Sequence, residues 1–270
     1  MSRDKNKMKL VLFFLLFVWI PFTEATPRSS QESVTITIFG EIHGTNEIPA
    51  FFLNWVKQQQ RNHQRPLIVG LEIRHENNAG GADIPGAECA VLGEFWQGMQ
   101  DGRKSKAMLN LVTELHSLSD ITIIAMDGSS PQMNRNAYMT YRISQAIHAN
   151  PEVRDVAILV GRAHAGKAVV EWEAASKHVK PLGYRLADSY SVTSLTVAHD
   201  GGQAWLCYRT EKNGVDCSEK QREPQRDIPL SSQSPIVAFD RPENGFDGVF
   251  YVGNISSSEP AIEALNPQAD

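Results

Sequence analysis

The 270-residue chain carries 26 Lys and Arg against 31 Asp and Glu, a formal net charge of −5. That balance argues against nucleic acid as a partner, because binding there needs a basic face. Three cysteines are few, and the length suffices to bury one sizeable core.

Residues 1–25 read as a secretory signal peptide. Lys5, Lys7 and Lys9 precede the apolar run 10–20, and Thr23-Glu24-Ala25 supplies small residues for cleavage. The run is short for a membrane span, with an uncleaved anchor as the alternative. No cysteine stands near the cleavage site to take a lipid. The mature chain is expected to start near Thr26 and to be periplasmic or secreted, with no stable membrane span. Residues 1–25 carry a net +2, which leaves the mature chain at about −7. Residues 26–270 are expected to form one α/β domain.

Val34 to Phe39 is β-branched and aromatic and predicts a strand. It stops at Gly40-Glu41-Ile42-His43-Gly44, after which Ile48 to Gln60 predicts a helix opened by Thr45 or Asn46. Pro66 to Arg74 reads as a second buried strand ending in Glu72 and Arg74. Residues 76–90, rich in Gly, Asn and Ala, read as a long mobile loop. Phe95 and Trp96 follow in a segment without a clear pattern. Lys104 to Leu118 has helical spacing, with Met108, Leu111, Val112, Leu115 and Leu118 on one face. Ile121 to Met126 is a third strand, closing in Asp127-Gly128. Met133 to His148 is a helix with Arg135 and Arg142 toward its ends. Val156 to Val160 is a fourth strand, ending Gly161-Arg162-Ala163-His164-Ala165-Gly166, and a helix is expected to follow through Val169, Val170 and Trp172.

Continuous apolar strands alternating with helices predict a mostly parallel sheet covered on both faces. From about residue 192 the texture changes to short alternating strands at 194–197, 204–208 and 248–252, expected to be antiparallel. Residues 218–234 read as a surface excursion, and the segment after Asn254 as loosely held. Cys207 and Cys217 flank the hairpin signal Lys212-Asn213-Gly214, and export permits a bridge between them if the hairpin register lets the sulfurs meet. Cys89 then stays unpaired, as a small buried hydrophobe.

Four successive strands thus end in polar groups: Glu41 and His43, Glu72 and Arg74, Asp127, then Arg162 and His164. Parallel strands place those ends on one edge, where open α/β sheets bind ligands. Two histidines with carboxylates suit a divalent transition metal or general acid–base catalysis. The arginines suit an anionic substrate group or an oxyanion. His63, His116, His148 and His178 read as solvated residues on or near polar helix faces. Ser129 and Ser130 lack the surroundings of a nucleophile elbow, and no phosphate-cradling glycine loop occurs.

Gly40-Glu41-Ile42-His43, Leu71-Glu72-Ile73-Arg74, Arg135-Asn136 with Met139, and Gly161-Arg162-Ala163-His164-Ala165-Gly166 resemble the superfamily that joins ChaN-type haem-uptake proteins, Tiki and TraB proteases, and erythromycin esterases. The resemblance spans residues 34–190. Its Tiki branch implies a metal-dependent hydrolase with His43, His164 and Glu41 or Glu72 in the site. Its esterase branch implies a histidine general base supported by glutamates, although the esterase motif sets one more residue between Glu and His than Glu41-Ile42-His43 does. Its ChaN branch shares the Gly-Glu-x-His spacing and implies haem, held by a tyrosine that the matching N-terminal stretch lacks.

The sequence therefore predicts an exported hydrolase acting on a small molecule or peptide, its strand-end site assisted by a divalent metal. His43 is expected as general base or metal ligand, His164 as its partner, and Glu41 and Glu72 as orienting groups or ligands. His43, His164 and Glu72 are the expected metal set. Arg74, Arg162, Asp127 and Arg135 are expected on the substrate. The alternative is a haem- or metal-binding uptake protein without catalysis.

Overall fold

A seven-stranded sheet carries the chain, in the order β10-β11-β7-β1-β4-β2-β3, where β1 is Thr35–Glu41, β2 Leu67–Arg74, β3 Ile121–Asp127, β4 Asp155–Gly161, β7 Ser191–Ala198, β10 Ile236–Glu243 and β11 Phe246–Tyr251. Every neighbouring pair runs parallel except β10 with β11. This computed structural model describes residues 33–74, 94–128, 130–172, 177–210, 214–225 and 235–262. The expected leader, the loop at 76–90 with Cys89, and Ser129 lie outside them. No helix among the described residues is long and apolar enough to cross a membrane.

Strand periodicity explains the two covered faces. Phe39 of β1 and Leu67, Val69, Leu71 and Ile73 of β2 face α1 (Glu47–His63) and α2 (Lys106–His116). Ile36, Ile38 and Ile68 point the other way, against α3 (Arg135–Ala149) and Leu182 and Leu186 of α5 (Leu182–Ala187). Phe39 anchors the first layer, with Phe52, Trp55 and Phe250 edge-on at 5.0–5.3 Å. These helices answer the expected spacing, each shifted by one to three residues at its ends.

Four expectations are corrected. First, the helix expected beyond Gly166 is replaced by a strand: a single turn, α4 (Arg162–Ala165), ends before Gly166, and Val170–Trp172 then forms β5, which pairs antiparallel with β6 (Lys177–Val179). Two adjacent valines favour the strand, and Lys167 N–H is already taken by the Gly245 carbonyl at 2.7 Å. His178 accordingly lies on a strand. Second, antiparallel pairing near the C-terminus holds for β10 with β11 and for the run 204–208, but β7 is parallel to both its neighbours in the main sheet, β1 and β11, and its run Ser194–Ala198 is wholly buried. Third, residues 218–222 finish β9 (Val215–Arg222), which pairs with β8 (Gly202–Arg209). Its register sets Cys207 opposite Cys217, and the two are bridged.

The fourth correction concerns the segment after Asn254. Ile255, Ser258 and Ala261 are buried, and the backbone between them is clamped at both ends. Asn46 N–H donates to the Ser256 carbonyl at 3.1 Å and Ser258 N–H to that of Gly44 at 2.9 Å. Ala261 N–H reaches the Lys104 carbonyl, and Lys106 N–H that of Glu259, both at 2.7 Å. Serine and proline here supply no periodic pattern; backbone pairing fixes the segment, together with side-chain bonds such as that of Ala107 N–H to Ser258 Oγ at 3.0 Å.

Candidate active site

The carboxyl ends of β1, β4, β2 and β3 lie side by side and open into a cavity of about 400 Å³. Glu41, His43, Glu72, Arg103, Arg135, Gly161, Arg162 and His164 line it, with Leu206 and Arg222 added by the β8–β9 hairpin.

Glu41 ends β1 and its side chain is 1 % exposed. Two residues on, His43 Nδ1 meets Glu41 Oε1 at 2.9 Å, which fixes the ring so that Nε2 faces Glu72 Oε2 at 3.6 Å. Gly44 turns the loop with φ +72, and a Cβ there would lie 2.2 Å from the Trp205 carbonyl oxygen. Conformation and space both require glycine at that position. Burial opposes charge on His43, but the Glu72 and Glu41 carboxylates outweigh it and push the pKa up to about 10. The resting ring is therefore an imidazolium.

Glu72 sits where the β2–β3 register breaks, between Leu71 and Arg74. Its Oε2 accepts the Gly161 N–H at 2.6 Å and its Oε1 accepts Arg135 Nη2 at 2.5 Å. Burial would raise its pKa, yet the adjoining His43 and Arg135 charges hold the carboxyl well below the usual range. Arg135 opens α3, an unfavourable place for a cation on helix-dipole grounds. Asp127 offsets this by accepting Arg135 Nε at 2.6 Å and Nη2 at 2.8 Å. Asp127 Oδ2 also accepts Arg103 Nη1 at 2.8 Å, and Asp101 holds the rest of that guanidinium.

His164 takes its two partners from α3. A guanidinium can only donate, so Nε2 accepts from Arg135 Nη1 at 3.2 Å, and Nδ1–H donates to Asn136 Oδ1 at 2.7 Å. Burial, together with the Arg135 and His43 charges, outweighs the pull of Glu72 and lowers its pKa. The two histidines thus differ in kind: His43 is cationic with Nε2 toward the cavity, and His164 is neutral with both nitrogens engaged.

Of the residues named from the sequence, Glu41, His43, Glu72, Arg135, Arg162 and His164 meet at the cavity. Asp127 stands behind it and grips Arg135 and Arg103. Arg74 is exposed at the end of β2 and does not line the cavity. Two participants carry no signal of their own in the sequence: Arg103 arrives on a 3₁₀ turn (Gly102–Lys104) and Arg222 comes from a hairpin. Asn136 stands in the motif Arg135-Asn136, but nothing there gives it a place against His164.

The arrangement does not fit a divalent ion. A guanidinium covers His164 Nε2, so the two histidines do not turn free nitrogens toward one point. Among the described residues no group of three or more His, Cys, Asp or Glu is placed to hold a metal. The cavity lining also contains no tyrosine to hold haem.

A mostly parallel sheet covered on both faces, with a polar cavity at its strand ends, defines an α/β protein. No protein-family model matches the sequence, and no curated protein matches it significantly. Solved structures do. A mutant of erythromycin esterase EreC in its open conformation superposes with a TM-score of 0.50 at 10 % identity, over 85 % of this chain and 92 % of that one. A Bacillus cereus protein matches with a TM-score of 0.50 at 11 % identity, over 85 % and 90 % of the two chains. At these identities the likeness is one of fold.

Proposed function

We propose that the protein is a hydrolase of small esters or amides in which His43 is the proton donor and Glu72 its anionic counterpart. The observation that carries this reading is the row Glu41–His43–Glu72, whose 3.6 Å gap between Nε2 and Oε2 is too long for a direct hydrogen bond. An oxygen atom of water or substrate placed in the cavity would lie within reach of both. For an ester, water adds to the carbonyl carbon as its proton passes to Glu72. The carbonyl oxygen, now anionic, lies beside the guanidinium charge of Arg135 and Arg103. The bond to the alkoxy oxygen then breaks as His43 gives that oxygen its Nε2 proton, releasing an alcohol and an acid. Glu72 returns its proton to His43, and both groups end as they began. His164 positions Arg135 and touches no substrate.

A cavity of about 400 Å³ suits a small substrate, being near the lower end of ligand sites. The Cys207–Cys217 bridge supports an oxidising compartment, as the leader-like residues 1–25 do. N-terminal sequencing of exported protein should begin near Thr26; a start at Met1 or Ser2 counts against cleavage.

A panel of activated esters and amides tests the chemistry. His43→Asn should lower turnover about 10²–10⁴-fold, the usual contribution of a positioned acid. Folded His43→Asn protein with undiminished turnover would exclude the assignment.

A further inference from the structure

The carboxylates on the cavity wall are already matched. Glu41 serves His43, and Glu72 serves His43, Gly161 and Arg135. Asp101 and Asp127 take Arg103 and Arg135 from behind. Two further guanidiniums line the same cavity, Arg162 at the start of α4 and Arg222 at the end of β9. Among the described residues neither has a carboxylate partner.

Their surroundings are rich in donors and poor in acceptors. Arg222 Nε is buried without a hydrogen-bond partner. His199 is 1 % exposed, and its Nδ1 accepts the Gly201 N–H at 3.1 Å. The ring proton is therefore on Nε2, which is buried and unpartnered. Burial first, then the nearby Arg222 and Arg162 charges, keep this ring neutral, although Asp200 pulls the other way. The Asp200 carboxylate accepts the Tyr251 hydroxyl at 2.5 Å. On its other side Arg162 lines a second, smaller hollow with Thr196, whose buried Oγ1 also has no partner. Glu243 shares that hollow but forms no ion pair with Arg162. Arg162 otherwise rests near the Phe246 ring, 5.9 Å from its centroid. The buried, unpartnered Arg222 Nε costs free energy that an anion in the cavity would recover, and the exposed Arg162 adds a second positive charge on the same wall.

We propose that Arg162 and Arg222 form an oxyanion subsite at the cavity, so that the substrate carries a carboxylate or phosphate group apart from the bond that is cleaved. Each guanidinium presents a planar fork that matches either anion. The group held there sets the distance at which the scissile bond reaches His43 and Glu72. This substrate class rests on the hydrolase reading, whereas anion binding itself does not.

The test is calorimetric titration of the full chain with inorganic phosphate and, separately, with acetate, at constant ionic strength. Saturable binding of one or both is expected, weakened about tenfold or more in Arg162→Gln and in Arg222→Gln. Arg61→Gln, on the far exposed end of α1, should leave it unchanged. Arg222→Lys keeps the charge without the fork and should fall between wild type and Arg222→Gln. Tighter phosphate identifies a phosphorylated substrate, and tighter acetate a carboxylated one. Binding of neither anion, or equal binding by wild type and both Gln variants, overturns the subsite. Hydrolysis without anion binding defeats this inference alone. Anion binding without hydrolysis of any ester or amide defeats the hydrolase reading and leaves the subsite standing.

Discussion

Gly161 and His43 stand so close that a Cβ on the glycine would lie 2.7 Å from His43 Nε2. The glycine has φ −53 and ψ 139, a conformation open to any residue, so space and not backbone freedom demands it. The same Cβ would come within 3.2 Å of Glu72 Oε2. One methyl group there wedges apart the two groups proposed to pass a proton between them.

Gly161→Ala should therefore fold, at a cost of about 1–3 kcal/mol for overpacking, yet lose turnover by about 10²-fold, since a misplacement near 1 Å has that effect. Denaturation midpoints beside kcat/KM separate the two effects. A variant as active as wild type would show that His43 and Glu72 need not stay in their present positions.

The His43 imidazole should titrate near pH 10, followed by its ring proton signal. The folded pKa lies above the ordinary 6.5, so its stabilisation is full below about pH 6.5 and is lost as pH rises through 10. Glu72 is shifted downward, and its stabilisation is present above pH 4.5 and lost on acidification. Wild-type denaturation midpoints should fall between pH 6.5 and 10, and His43→Asn should flatten that decline. Parallel curves for the two proteins would contradict the assigned charge.

Arg135→Gln should cost about 2–3 kcal/mol, because it strips a charged donor from a carboxylate whose side chain is 2 % exposed. The figure stays below that for a fully buried pair because Arg135 is itself 39 % exposed. The His164 pKa should rise in the same variant, as a neighbouring positive charge is gone. Urea denaturation and the His164 ring signal measure the two consequences. An unchanged His164 titration would mean that Arg135 does not govern that ring.

Replacing Cys207 and Cys217 by serine opens a loop of sequence separation 10. The chain-entropy relation puts the loss at about 2.7 kcal/mol. The hairpin also supplies Leu206 and Arg222 to the cavity, and Trp205 N–H donates to the Gly44 carbonyl at 2.9 Å. The double variant should therefore bind anions less tightly as well as melt earlier. Reduction of the wild type should reproduce both changes.

The strand-end carboxylates and histidines were legible because each follows an apolar run that stops abruptly, and a parallel sheet brings such stops to one edge. The run 194–197 misled because alternation suggests an exposed face, whereas here all four residues are buried and Ser194 hides its hydroxyl on the Ala165 carbonyl at 2.7 Å. Asp127 was read as a substrate contact; its position at a strand end was right, but two arginines reach it from behind the cavity. Arg103 and Arg222 belong to no spacing pattern. Only tertiary pairing brings a 3₁₀ turn and a hairpin to the ends of β1 and β2, and local periodicity holds no record of it.

The clamp of residues 255–261 over Gly44 and Lys104 has a consequence for timing. Asn46 and Ser256 are separated by 210 residues, yet the backbone and side chains of the pair join directly. The loop that aims His43 is thus fully secured when, besides the Trp205 contact, a segment synthesised some two hundred residues later has docked. Contacts of such long range form slowly, because the intervening chain must first be ordered. A nascent chain would hold Glu41 and His43 long before it held them in working geometry. Ribosome-bound chains halted before residue 255 should protect the β1 amides from hydrogen exchange while leaving the Asn46 amide, whose acceptor is the Ser256 carbonyl, open.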